Sequence, residues 1–145
     1  MRRLPALAAA AALAFAPHPA HAAGAAPVTG YGEFSPGLTA LPLTHYIKMT
    51  VQGVLAGVPA GPFTCVYDVE SVGNYGGGAG TRGTVACTGA FSASSTTCAS
   101  QRSGMTVAIH CPTATGAVDG SFQLQPTSAG PVIEYFTAVG TVTVV

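Results

Sequence analysis

The stretch Phe63-Thr64-Cys65-Val66-Tyr67-Asp68-Val69-Glu70 decides the fold. Phe63, Cys65, Tyr67 and Val69 alternate with Thr64, Val66, Asp68 and Glu70, and a period of two describes a half-buried strand. The strand runs into Gly73-Asn74-Tyr75-Gly76-Gly77-Gly78-Ala79-Gly80, whose five glycines accept the positive φ values of a tight reversal. A hairpin centred on Gly76 pairs residues whose numbers sum to 152, which sets Cys65 opposite Cys87, Tyr67 opposite Val85 and Phe63 opposite Gly89. Directly opposed residues hold their Cβ atoms about 4.5–5.5 Å apart, and a modest adjustment brings that within disulfide reach. Cys98 and Cys111 then pair by elimination and staple the loop that contains Arg102 and Gly104. This is one of three connectivities open to four cysteines.

The same period recurs on both sides of that hairpin. Ile47, Met49 and Val51 alternate with Lys48, Thr50 and Gln52; Met105, Val107, Ile109 and Cys111 alternate with Thr106, Ala108 and His110; Phe122 and Leu124 flank Gln123. Val132 to Val145 is a long β-branched run, with Gly140 as a bulge that exchanges its two faces. Turn chemistry separates the runs at Pro36-Gly37, Gly57 to Pro62, Ser103-Gly104, Pro112 to Gly120 and Pro126 to Pro131. No sustained helical stripe occurs after residue 22. The pattern predicts an all-β domain, an antiparallel β-sandwich or small β-barrel of about seven strands with two disulfides.

The opening has a different logic. Arg2 and Arg3 precede an uncharged apolar run from Leu4 to Ala16, followed by Ala20-His21-Ala22. That order of regions is a secretory signal peptide, cut after Ala22. The expected organisation is therefore residues 1–22 as signal, 23–29 as a flexible lead-in and 30–145 as a single β-domain. Export also bears on the cysteines, since an even count in an exported chain forms disulfides. Their spacings of 22, 11 and 13 residues hold no close pair of the kind a zinc ribbon uses. The expected localisation is secreted or associated with the cell envelope, with no membrane span once the signal is removed.

After cleavage, three basic residues (Lys48, Arg82, Arg102) face five acidic ones (Glu33, Asp68, Glu70, Asp119, Glu134), a net charge of −2. Three dispersed cations do not neutralise the phosphates of a nucleic acid, so that partner is excluded. The surface must be made of hydroxyls, small side chains and neutral polar groups.

Candidate chemistry is sparse. His45 and His110 read as solvent-exposed strand histidines, with no Gly-x-Ser-x-Gly elbow and no reduced cysteine to serve as nucleophile. Asp68 and Glu70 share one strand face about 7 Å apart, as a solvated pair. The glycine-rich stretch lacks the Lys-Ser/Thr ending of a phosphate loop and reads as a hairpin tip carrying Tyr75. The candidate ligand-binding residues are Tyr75 and His110; no catalytic residue, metal site or cofactor is expected.

The segment Gly30-Tyr31-Gly32-Glu33-Phe34-Ser35-Pro36-Gly37-Leu38-Thr39 resembles the opening of small secreted β-domain proteins of high-GC actinobacteria. The resemblance covers this opening and the general layout. It implies a secreted β-domain with few charges and carries no functional residues. The expected function is a non-enzymatic, monomeric binding domain that meets an extracellular ligand or protein through neutral loops. The alternatives are a small secreted hydrolase or hydrolase inhibitor, carried by His110 with Asp68 or Glu70 or by the Cys98–Cys111 loop, and an apolar small-molecule carrier.

Overall fold

The computed structural model describes residues 24–36, 44–74, 76–129 and 134–145. They form ten strands: β1 (Gly24–Pro36), β2 (Thr44–Leu55), β3 (Gly61–Asn74), β4 (Gly77–Gly80), β5 (Gly83–Gly89), β6 (Ala93–Ser95), β7 (Ala99–Ser103), β8 (Thr106–Pro112), β9 (Ala117–Ala129) and β10 (Glu134–Val144). No helix occurs among the described residues, so none there is long and apolar enough to cross a membrane.

The strands meander, each antiparallel to its neighbours, and the last returns to the first. β10 pairs with β1 from Gly24↔Val144 to Phe34↔Glu134. Together with the β2–β3 pairing this closes the sheet. β1, β2, β3, β4, β7, β8, β9 and β10 make an eight-stranded antiparallel barrel, with β5 and β6 attached beside β3. Of the two closures the alternation left open, the barrel is the one formed. Bending the sheet that far brings backbones together, and a Cβ at Gly30 on β1 would fall onto the Thr50 carbonyl oxygen of β2. Glycine at such positions lets the wall curve.

The hairpin register is the one the cysteines demand. Cys65 lies opposite Cys87 and Tyr67 opposite Val85. Both disulfides form, Cys65–Cys87 and Cys98–Cys111, with Cα atoms 4.1 and 4.2 Å apart. Closer to the turn the pairing is one residue out of step, Val72 facing Ala79. The extra residue lies where Thr81 and Arg82 break the strand between β4 and β5. That break sends β4 onward to β7 and β5 onward to β6, so β3 serves both the barrel and its attachment.

Four expectations change. Of the expected lead-in 23–29, the described residues 24–29 belong to β1, which begins at Gly24, and Ala26 and Val28 are buried in the barrel. Gly140 exchanges no faces, since Phe136, Ala138, Val142 and Val144 all point inward; the irregularity in β10 falls between Tyr135 and Phe136. Arg102 sits on β7 of a β7–β8 hairpin turned at Gly104, which has φ 58°. Its side chain is buried, and so is His45.

An eight-stranded barrel is just wide enough for side chains to fill. Here Tyr67, Phe122, Phe136, Ile47, Val51 and Ile109 are fully buried, and Tyr67 meets Phe122 edge to face at 5.5 Å. Each buried aliphatic or aromatic side chain contributes about 1.5–3 kcal/mol. The outward positions carry Lys48, Thr50 and Gln52 on β2, and Ser121, Gln123 and Gln125 on β9. The lumen is thus filled mainly by apolar side chains, while the outward positions of β2 and β9 are largely polar.

Candidate functional site

Closure brings outward residues of four strands onto one wall, formed by β10, β1, β2 and β3. Across it runs a row in which Tyr135, Glu33, Lys48 and Asp68 stand side by side, one from each strand in that order. Lys48 therefore has a carboxylate on either side. The next row is Thr137, Tyr31, Thr50 and Val66. On the other side of the charged row, Ser35, Tyr46 and Glu70 are aligned. Alternation explains the arrangement, because each strand sends every second side chain outward and the register brings those positions level.

This wall holds the exposed aromatic surface of the described chain. Tyr31 is 63% exposed, Tyr135 48% and Tyr46 38%, with Val66 and Val139 open beside them. Half-buried Thr50 lies low between Tyr31 and Val66, which leaves a groove of about 360 Å³ flanked by Tyr31, Tyr135, Val66, Glu33, Lys48 and Asp68.

The opposite wall, formed by β4, β7, β8 and β9, also carries a groove, of about 550 Å³. Its outward side chains are small or neutral: Ala79, Ala99, Gln101 and Ala108. His110 lies there, opposite Asp119 in register, and its Nδ1 meets Asp119 Oδ1. The carboxylate partner is thus Asp119 of β9 rather than Asp68 or Glu70, whose strand is not a neighbour of β8. The pair is open to water, with side chains 62% and 45% exposed. The serine that lines the groove, Ser100, is buried and donates its hydroxyl to the Glu70 carbonyl at 2.6 Å. His110 thus has an orienting carboxylate but no hydroxyl bonded to its ring.

One end of the lumen is polar. Arg102 donates from Nε to Ser71 Oγ at 3.3 Å and from Nη1 to the Gly104 carbonyl at 3.0 Å. Its guanidinium lies 5.1 Å from the centre of the Phe34 ring, and Phe34 stacks on His45 at 4.6 Å. Burial, and then the Arg102 charge, hold the His45 imidazole below its ordinary range; its Nδ1 is buried without a hydrogen-bond partner. Deeper in, the Tyr67 hydroxyl is also buried and unpartnered, and burial pushes it well above the ordinary tyrosine range. Among the described residues no group of three or more His, Cys, Asp or Glu converges as a metal site.

Of the residues singled out from sequence, His110 lies in the second groove, and Tyr75 lies outside the described residues. No local pattern joins Tyr31, Tyr46 and Tyr135, which are far apart in the chain and share a wall only through the pairing of β10, β1 and β2. Centring the β8–β9 hairpin on the Thr113–Gly116 turn, so that paired numbers sum to 229, sets His110 against Asp119. The fold and these two grooves define a closed, side-chain-filled antiparallel barrel with a two-sided exterior. Comparison with protein-family models, curated proteins and solved structures finds no match.

Proposed function

We propose that the chain is an exported, non-enzymatic binding domain that recognises an extracellular ligand or partner on the β10–β1–β2–β3 wall. One observation carries this reading: the lumen is occupied by Tyr67, Phe122 and Phe136, while Tyr31 and Tyr135 stand exposed beside a groove on the outside and Tyr46 is exposed on the same wall. A filled lumen has no room for the cargo of an apolar carrier. Exposed tyrosines offer large contact area at low cost in side-chain entropy, which suits recognition. The two disulfides and the charged, apolar and small-residue order of residues 1–22 support export.

The test has two parts. Mass spectrometry of the protein from culture medium should give a start at Ala23 and a loss of four hydrogens. Titration with an apolar fluorescent dye should give no saturable uptake, and stoichiometric uptake into the lumen would restore the carrier reading. A second reading, a small hydrolase, draws on the His110–Asp119 pair, since a carboxylate on Nδ1 leaves Nε2 to act as a base. Turnover of chromogenic esters that disappears in His110→Ala would favour it over binding.

A further inference from the structure

We infer that the ligand of this wall is a neutral, hydroxyl-rich saccharide chain laid across β10, β1, β2 and β3. The inference rests on the wall being the binding surface, and it comes from the order of the side chains. The central row reads acceptor, donor, acceptor: Glu33, Lys48, Asp68. An ionised carboxylate only accepts hydrogen bonds and an ammonium only donates them. A sugar hydroxyl does both, so neighbouring hydroxyls can donate to Glu33 or Asp68 while accepting from Lys48. Bonds to charged groups of this kind are the stronger ones.

The same row disfavours the other ligand classes. An anion would meet Glu33 and Asp68, and a cation would meet Lys48 at the centre of the groove. A protein partner fits poorly for a different reason. Protein interfaces place apolar side chains at the centre and polar ones at the rim, with charge depleted from the core. This wall is the inverse, a charged row framed by Tyr31, Tyr46, Tyr135 and Val66. Tyrosine faces carry the negative side of the ring quadrupole and stack against the polarised C–H faces of a sugar ring. The groove lies along a wall rather than in a pit, so it takes an internal stretch of a chain. Its volume of about 360 Å³ is at the small end of ligand sites, which limits that stretch to a few rings.

Affinity electrophoresis of the mature protein tests this, in native gels containing laminarin, galactomannan or dextran (neutral), heparin (anionic) or chitosan (cationic), beside a peptide array. The expected result is retardation by at least one neutral polysaccharide and by neither charged one. Tyr31→Ala and Lys48→Met should each weaken it about tenfold or more, the range of an interface hot spot. Gln123→Ala, on the far wall, should leave it unchanged, and thermal melting confirms that each variant is folded. Absence of retardation by every neutral polysaccharide overturns the saccharide inference. If array peptides then bind and Tyr31→Ala abolishes it, the wall reading survives with a protein partner. Retardation that persists in both Tyr31→Ala and Lys48→Met overturns the wall reading itself.

Discussion

The two walls of the barrel share one lumen and present different chemistry to water. On β10, β1, β2 and β3 the outward positions hold Tyr31, Tyr46, Tyr135, Glu33, Lys48, Asp68 and Glu70; on β4, β7, β8 and β9 they hold Ala79, Ala99, Ala108, Gln101, Ser121 and Gln123, with the His110–Asp119 pair. Inward, both walls look alike, with Val51, Cys65 and Phe136 on one side and Val107, Cys111 and Phe122 on the other. Each side also has one disulfide. Folding constrains the inner face of a strand through packing and leaves the outer face free. The contrast between the walls is therefore not a requirement of the fold, and it is what an outside ligand can read.

The largest test of that symmetry of support is to remove one staple at a time. Replacing Cys65 and Cys87 by serine, or Cys98 and Cys111, should each cost about 2–4 kcal/mol of unfolding free energy in urea. The loops close over 22 and 13 residues, so the first pair should cost about half a kcal/mol more on chain-entropy grounds. A negligible loss from one pair would mean that its wall stands without the staple.

Next come the glycines that let each wall curve. Gly30→Ala drives a methyl into the Thr50 carbonyl, whereas Gly120→Ala drives one into the Phe122 ring and close to the Tyr67 hydroxyl. Overpacking of this kind costs about 1–3 kcal/mol. Gly30 should show the larger loss, because a ring can turn and a paired carbonyl cannot.

A pH effect follows from His45, whose ring is held neutral inside the barrel. The unfolded chain takes up a proton there near pH 6.5, while the folded protein does so only at lower pH. Stability should therefore be intact above that value and fall as pH drops from it towards the lowered folded pKa. Urea titrations at pH 7.5 and 5.5 should show a smaller loss for His45→Gln than for the parent protein. Equal losses would place the titrating group elsewhere.

The smallest stability effects belong to the outer faces. Tyr31→Ala and His110→Ala should each move the unfolding free energy by no more than about 0.5 kcal/mol, as surface changes do. Only the first should alter binding. A binding loss from His110→Ala alone would exchange the roles of the two walls.

The strands and their pairing were legible because alternation and opposed cysteines act over a few residues. The sum of 152 at Cys65 and Cys87 holds from Phe63 to Val69. It slips by one at Val72 because nothing in Thr81-Arg82 announces a break in the strand. Gly24 to Thr29 read as filler, since Ala26 and Val28 are too small to mark a strand until β10 lies beside them. His45 read as a surface group and Arg102 as part of a stapled loop, because nothing in the residues beside them announces that Phe34 and Ser71 will enclose them. The tyrosine wall depends on closure, a property of the whole chain that no local pattern contains.

The pairing of Gly24 with Val144 makes the chain a hoop. Where the first and last strands lie side by side in one ladder, the point at which the barrel's polypeptide is interrupted becomes arbitrary. A circular permutant of the barrel with a short glycine linker joining Val145 to Gly24, and opened at Thr115, should close the same ring with the same disulfides. The hoop also sets an order of events. No barrel exists until β10 meets β1, so the most distant pairing in the sequence completes the ring, and chains rich in such remote contacts fold slowly. During synthesis, β1 must therefore wait with one edge unpaired until the end of the chain emerges.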